Sequence, residues 1–412
     1  MSGSRSHVDD LRGASRLAVE ATRAVTDLVD AMHQEIGGGP TFLGRPLAAP
    51  VKLMNDLVYG TIRTVTAAVG AGIDRALQPL APLLGESAPG PERDALVAAL
   101  NGVLGDYLAE TGNPLAISMR LRHGGRPLTL EREALGATLP EAGGKLLVLV
   151  HGSCMSDRQW NRRGHDHGAA LARDLGYTPV YLHYNSGLHI SANGRALDGL
   201  LEELIAVWPV PLEELVLLGH SMGGLVSRSA CLVGERAGHA WRARLGKLIC
   251  LGSPHHGAPL ERGGNLFGLL FGISRYSAPL GRLARIRSAG VTDMRHGNVL
   301  DEHWHGRDRF AHGPDPRSAV QLPAGVDCYA VAATRSQRLD GTLLGDGVVP
   351  VASALGMHPS AAMSLGFPEA HRWVGAGMGH LDLLDRPEVY QTLRSWLADG
   401  LTRSGGEPLL PA

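Results

Sequence analysis

The chain has 412 residues, of which 44% are hydrophobic and 19% charged, with 39 basic against 40 acidic side chains. These are globular values, and the length suits two units or one large α/β domain with an appendage. A net charge of −1 supplies no long-range field to draw in nucleic acid or anionic lipid, so a polyanionic partner is disfavoured.

The cysteines Cys154, Cys231, Cys250 and Cys328 have neither zinc-site nor redox spacing, and four in so long a chain make no disulfide framework. A reducing compartment is therefore expected, with no metal and no other cofactor. Residues 1–10 are polar and the next segment carries Arg12, Arg16, Glu20 and Arg23, so no secretory h-region is read. The expected location is cytoplasmic, with peripheral membrane association as an extension of it. The most apolar stretch, residues 51–84, is broken by Lys52, Asp56, Arg63, Asp74 and Arg75, and no transmembrane helix is predicted.

Residues 8–108 follow a helical period, clearest in Val51, Met54, Val58, Ile62, Val65, Val69, Ile73, Leu77 and Leu80. Such a stripe needs a cover. It is either a layer packed on the main domain or on a second copy of itself, or an amphipathic surface lying on lipid; the mixed charge signs favour packing. Breakers at Gly37-Gly38-Gly39-Pro40 and Pro89-Gly90-Pro91 divide the segment into helices. The period changes after Asn113-Pro114, which sets a helical N-terminal extension at 1–113.

A hairpin is predicted from 115–121 and 127–130, turned at Gly124-Gly125. Strands follow at 145–150, 178–184, 214–218 and 247–251, alternating with helices at 165–175, 191–208 and 223–238. This alternation predicts an α/β fold with a mostly parallel central sheet and helices on both faces. Catalytic groups then belong at the carboxyl ends of the strands. The order fails between 254 and 322, which reads as an insertion. A strand at 327–333 resumes the sheet, the last strand lies near 371–374, and a helix at 387–398 closes the domain, 114–400. Residues 401–412 read as a flexible tail, and no internal repeat is present.

Gly219-His220-Ser221-Met222-Gly223 joins a buried strand directly to a helix. A serine on so sharp a turn is lifted above the sheet, and the flanking glycines let strand and helix pass closely. The plainer alternative is a helix-capping serine in a glycine-rich turn. A serine hydroxyl becomes a nucleophile only when a base takes its proton, and the base needs a carboxylate behind it. Asp346, in Gly345-Asp346-Gly347-Val348-Val349-Pro350, follows the resumed strand. His380, in Gly377-Met378-Gly379-His380-Leu381-Asp382, follows the last one. Taken singly, each could be an ordinary loop residue; together they complete a triad in the order serine, acid, histidine. Asp340 and Asp382 are the fallback carboxylates. The amides of Ser153, in the loop after strand 145–150, and of Met222 are the candidate oxyanion donors. Cys154 reads as a wall residue and not as a reactive thiol.

These residues resemble the α/β-hydrolase superfamily, and within it the bacterial lipase and esterase group that includes proteins similar to eukaryotic GPI inositol-deacylases. The resemblance is carried by Val150-His151-Gly152, Gly219-His220-Ser221-Met222-Gly223-Gly224, Gly252-Ser253-Pro254-His255-His256-Gly257, Asp346-Gly347-Val348-Val349 and Gly379-His380-Leu381-Asp382. It implies that the Ser253 to Gly257 turn shapes the site wall and that His255 and His256 are structural. It also implies a lid near 259–320. There Leu266, Phe267, Leu269, Leu270 and Phe271 either cover an acyl pocket or pack as one short core helix. In some secreted lipases an aspartate shortly after the catalytic histidine helps to hold calcium. Asp382 matches that position, but no partners are identified, so no metal is called. The cluster Asp301, Glu302, His303, Trp304, His305 and Asp308 fits no ligand spacing and reads as a solvated loop.

The expected function is a serine hydrolase that cleaves a small-molecule or lipid ester through an acyl-enzyme. A thioesterase or amidase would use the same groups. A different reading is a scaffold with an inert hydrolase fold, whose N-terminal helices bind lipid, a partner or a second copy.

Overall fold

The computed structural model describes residues 12, 13, 16, 91–258, 288–308, 315, 317–339 and 345–398. The helical stripe of residues 51–80, the lid-like residues 266–271, Asp340 and the tail lie outside the described residues. In chain order the helices are α1 (Pro91–Glu110), α2 (Arg132–Thr138), α3 (His167–Leu175), α4 (Ile190–Val207), α5 (Met222–Ala237), α6 (Ala289–Asp293), α7 (Val351–Ala354) and α8 (Pro387–Ala398). The strands are β1 (Arg120–His123), β2 (Arg126–Pro127), β3 (Lys145–Val150), β4 (Thr178–His183), β5 (Glu214–His220), β6 (Leu245–Leu251), β7 (Asp327–Ala333) and β8 (Arg372–Gly375). Leu108–Ala116 belongs with one unit; Pro91–Tyr107 and the chain from Ile117 onward form the other, which holds the whole sheet.

The sheet has eight strands in the order β2-β1-β4-β3-β5-β6-β7-β8. β1 pairs antiparallel with β2 and with β4, and every pairing from β4 to β8 is parallel. The predicted hairpin forms at Gly124-Gly125, both glycines having positive φ (57° and 74°), as a tight two-residue turn demands. Its first strand begins only at Arg120 and not at residue 115.

β3 (KLLVLV) and β5 (ELVLLGH) are buried along almost their whole length, because helices cover both sides of the sheet. On one side α3 and α8 close a core of Leu147, Leu149, Val216, Leu218, Ile249, Leu251, Val331, Leu393 and Trp396. α4 and α5 pack against each other, and α5 packs on β5. α3 is capped at its start by Asp166, whose carboxylate accepts from the Ala169 amide (2.9 Å), and at its end by Gly176 with φ 71°. Its start two residues later than position 165 follows from that cap.

The chain leaves β3 toward β4 on one side, and β5 lies on the other, so the connection reverses direction between β3 and β5. In open α/β sheets ligand crevices form where the connection reverses, at the carboxyl ends of the strands. The register aligns Val150 with Gly219, so the loop after β3 and the turn after β5 leave the sheet side by side. No helix among the described residues is long and apolar enough to cross a membrane.

Candidate active site

Ser221 ends β5 and precedes α5 with φ 55° and ψ −123°, one of three non-glycine residues at positive φ among the described residues. A conformation of this kind costs about 1–3 kcal/mol and persists only where the surroundings enforce it. Its amide donates to the Leu251 carbonyl (2.8 Å), and its carbonyl accepts from the Gly224 amide (3.1 Å). The neighbours must be glycine: a Cβ on Gly219 would lie 2.5 Å from the Gly224 nitrogen, and one on Gly223 would lie 2.1 Å from the Val150 oxygen. The serine hydroxyl makes no capping hydrogen bond to α5, so the capping alternative does not hold.

Asp346 sits in a turn between Gly345 (φ 111°) and Gly347 (φ 97°). Its Oδ1 accepts from the amides of Val348 and Val349, each at 2.8 Å. Its Oδ2 lies 2.7 Å from Nδ1 of His380. With Oδ1 taken up by two amides, Nδ1 donates to Oδ2 and Nε2 is left as the basic nitrogen. That Nε2 is buried and has no hydrogen-bond partner among the described residues. His380 heads a 3₁₀ turn, His380–Leu384, and its amide donates to the Asp346 carbonyl (3.2 Å). Ser221, Asp346 and His380 are 5%, 1% and 1% exposed, so the three are shielded from bulk water.

The histidine and the serine turn are linked through residue 220. The His220 ring stands 4.8 Å from the His380 ring, and its Nε2 lies 3.2 Å from the His380 carbonyl oxygen. Burial and then the neighbouring His380 hold the His220 pKa well below the ordinary histidine value. It stays neutral and donates to that carbonyl. A Cβ on Gly252, after β6, would lie 3.2 Å from two atoms of the His380 ring, so the glycine clears room for the imidazole.

The loop after β3 passes directly over the serine, because a Cβ on Gly152 would come within 3.0 Å of the Ser221 Cβ. Ser153 is buried in this loop, and Met222 is buried at the first position of α5. Cys154 is buried at φ 60°, and burial raises its thiol pKa to about 11. No thiolate forms there at neutral pH, which agrees with a wall residue.

The wall turn after β6 has the structural character expected of it. His255 is buried with Nδ1 3.3 Å from Arg228 Nη1, and His256 Nε2 lies 3.1 Å from the Gly356 carbonyl oxygen. Burial, followed by the cation Arg228, pushes the His255 pKa well down. Asp382 accepts from the Gly379 amide (2.9 Å) and faces Arg162 (3.8 Å) and Arg163 (3.5 Å). It therefore braces the histidine loop. The cluster at 301–308 is partly packed and not simply solvated: Asp301 pairs with Arg195 and accepts from Ser191, while Trp304 stacks on His189. No group of His, Cys, Asp and Glu among the described residues could hold a metal ion.

Two supports escaped the sequence reading. Arg335 donates from Nε to the Asp346 carbonyl (3.2 Å), and Ser186 Oγ accepts from the Cys154 amide (3.0 Å). Neither residue stands in a motif, and only the sheet order brings either one to the site.

Residues 141–320 match the family model described as PGAP1-like alpha/beta domain. The match covers less than half of the chain and falls on the sheet unit, an α/β architecture with a mostly parallel eight-stranded sheet. The chain's similarity to solved structures is broad and remote. A lipase of Bacillus licheniformis, BlEst2 in mature form, is 18% identical over 61% of this chain and 91% of its own, with a TM-score of 0.41. The Pyrococcus furiosus esterase Pf2001 is 13% identical over 64% and 83%, with a TM-score of 0.39. An esterase of Pyrobaculum calidifontis is 13% identical over 64% and 78%, also with a TM-score of 0.39. No curated protein matches the chain. Of the residues singled out from sequence, His380 meets Asp346, and the His220 ring beside Ser221 meets the His380 ring.

Proposed function

We propose that this protein is a serine hydrolase that cleaves carboxylic esters, with Ser221, His380 and Asp346 as its catalytic triad. The observation that carries the reading is the His380–Asp346 contact of 2.7 Å next to a serine turn whose hydroxyl caps nothing. The match of residues 141–320 to a PGAP1-like alpha/beta domain supports the same class.

His380 Nε2 takes the proton of the Ser221 hydroxyl as its oxygen attacks the ester carbonyl. Asp346 keeps the imidazole in the correct tautomer and stabilises its charged form. The amides of Ser153 and Met222 donate to the oxyanion, and burial of the site strengthens both bonds. Collapse of the tetrahedral adduct expels the alcohol, which takes its proton from His380. Water then attacks the acyl-enzyme by the same steps in reverse roles and frees the acid. A thioester or amide would pass along the same path, so a substrate panel separates the classes.

A fluorophosphonate probe should label the wild type and leave Ser221→Ala unlabelled. p-Nitrophenyl esters of graded chain length should be hydrolysed by the wild type alone. Equal labelling of both proteins would remove Ser221 as the nucleophile.

A further inference from the structure

α1 touches the loop after β3 at both of its ends. At one end Gly102 lies against Cys154: a Cβ on Gly102 would fall 2.2 Å from the Cys154 Sγ, 2.7 Å from its Cα and 2.8 Å from its nitrogen. At the other end Asp94 accepts from Arg122 Nη1 (3.1 Å) and Arg158 Nε (2.7 Å), and Arg122 Nη1 also donates to Asp157 (3.0 Å). Asp94, Arg122 and Asp157 are all buried, so a change in one leaves an uncompensated charge in the others. About one turn beyond Gly102, α1 also holds the neighbouring loop, because the Gly105 carbonyl accepts from Asn185 Nδ2 (2.8 Å). The next residue of that loop, Ser186, accepts from the Cys154 amide (3.0 Å).

Cys154 is held at φ 60°, a left-handed backbone that a side-chain-bearing residue adopts only under constraint. That bend sets the path of the chain through Ser153, whose amide is the first oxyanion donor in the reading above. We propose that α1 positions the oxyanion loop, with Gly102 pressing on Cys154 and Asp94 anchoring the loop through Arg122 and Arg158. The inference rests on the serine-hydrolase reading. It makes Gly102 and Asp94 positioning residues that never touch substrate, and it makes part of the segment before residue 113 a working part of the site.

The test uses the full chain and a p-nitrophenyl ester. Gly102→Ala needs Cys154 to move by several tenths of an ångström, and misplacement on the order of 1 Å costs about 10²-fold. We expect kcat to fall by about 10²-fold with KM changed less than about threefold, as for loss of one oxyanion donor. Affinity for a trifluoromethyl ketone, which forms an oxyanion adduct on the serine, should fall by a similar factor. The pH profile of kcat should keep its shape, since the His380–Asp346 pair is untouched. Asp94→Asn keeps the size of the side chain and weakens the anchor; it should show the same pattern at roughly a tenth of the effect. Gly199→Ala on α4, where a Cβ meets nothing within 4 Å, is the control and should behave as wild type.

Wild-type kcat and ketone affinity in a folded Gly102→Ala protein overturn the inference, and so does a loss confined to KM. If Gly102→Ala does not fold, Asp94→Asn decides by the same two measurements. Turnover that survives Ser221→Ala sinks the serine reading and this inference with it. Turnover lost in Ser221→Ala but kept in Gly102→Ala sinks this inference alone.

Discussion

His380 Nδ1 lies 2.7 Å from Asp346 Oδ2, while Oδ1 of the same carboxylate receives two backbone amides. The carboxylate is thus fixed by the chain itself and not by another side chain. Asp346→Asn keeps its shape and can turn an N–H toward Nδ1, which puts the proton on the wrong nitrogen. We expect kcat to fall by about 10³ to 10⁴-fold with little change in melting temperature. Steady-state kinetics beside a melting curve separate this from plain misfolding.

Ser153 serves through its amide in the proposed mechanism, and its buried hydroxyl forms a weak hydrogen bond with the Cys154 thiol, at 3.7 Å. Ser153→Ala should therefore keep kcat within about threefold, whereas loss of an oxyanion donor itself would cost about 10²-fold or more. A loss as deep as that of Ser221→Ala would make Ser153 part of the nucleophilic machinery.

Gly223→Ala puts a methyl group 2.1 Å from the Val150 carbonyl oxygen, and the neighbouring contacts are also backbone. Neither strand nor helix can give way without opening the sheet where β3 meets β5. A destabilisation of about 3 kcal/mol or more is expected, at the upper end for overpacking. Chemical denaturation measures it, and a midpoint equal to wild type would mean that the turn is looser than these distances imply.

The sheet was legible in the sequence because its central strands are unbroken apolar runs: 145–150 and 327–333 appear in the structure as β3 and β7 to the residue. Ser221, Asp346 and His380 could be singled out because each sits in a glycine-bearing turn, a pattern that sharp backbone turns require; the 2.7 Å contact between His380 and Asp346 is what the structure adds. Asp94 and Gly102 carried no such mark. Their roles depend on α1 lying against a loop about fifty residues away in the chain, and helical periodicity does not encode that pairing. The same limit explains why α1 reads from sequence as part of an extension, although Pro91–Tyr107 belongs with the sheet.

Buried histidines tie stability to pH. His151 and His167 are fully buried, and burial lowers their pKa values to about 3 and about 4, from an ordinary 6.5. Above 6.5 both are neutral in the folded and the unfolded chain, and stability does not depend on them. Below 6.5 the unfolded chain binds protons that the folded chain refuses, so stability falls as pH drops toward the folded values. Each group contributes a slope of up to about 1.4 kcal/mol per pH unit in that window. Urea midpoints should be flat from pH 8 to 7 and decline between pH 6 and 4.5. His167→Asn should make the decline shallower, and an unchanged slope would show that His167 titrates normally.

The four cysteines are all buried, and burial raises the thiol pKa values of Cys154, Cys231 and Cys250 to about 11, 12 and 12 and that of Cys328 still further. Alkylation needs a thiolate that solvent can reach, and neither condition is met in the folded chain. Iodoacetamide at pH 8 should leave hydrolysis unchanged for hours, and mass analysis should find the four thiols free until denaturant is added. Cys154 is the informative one, since it follows Ser153 directly in the loop after β3 and lies under Gly102. Rapid loss of activity with selective labelling of Cys154 would mean that the loop opens to solvent in the resting protein. The fixed path through Ser153 would then not exist before substrate binds.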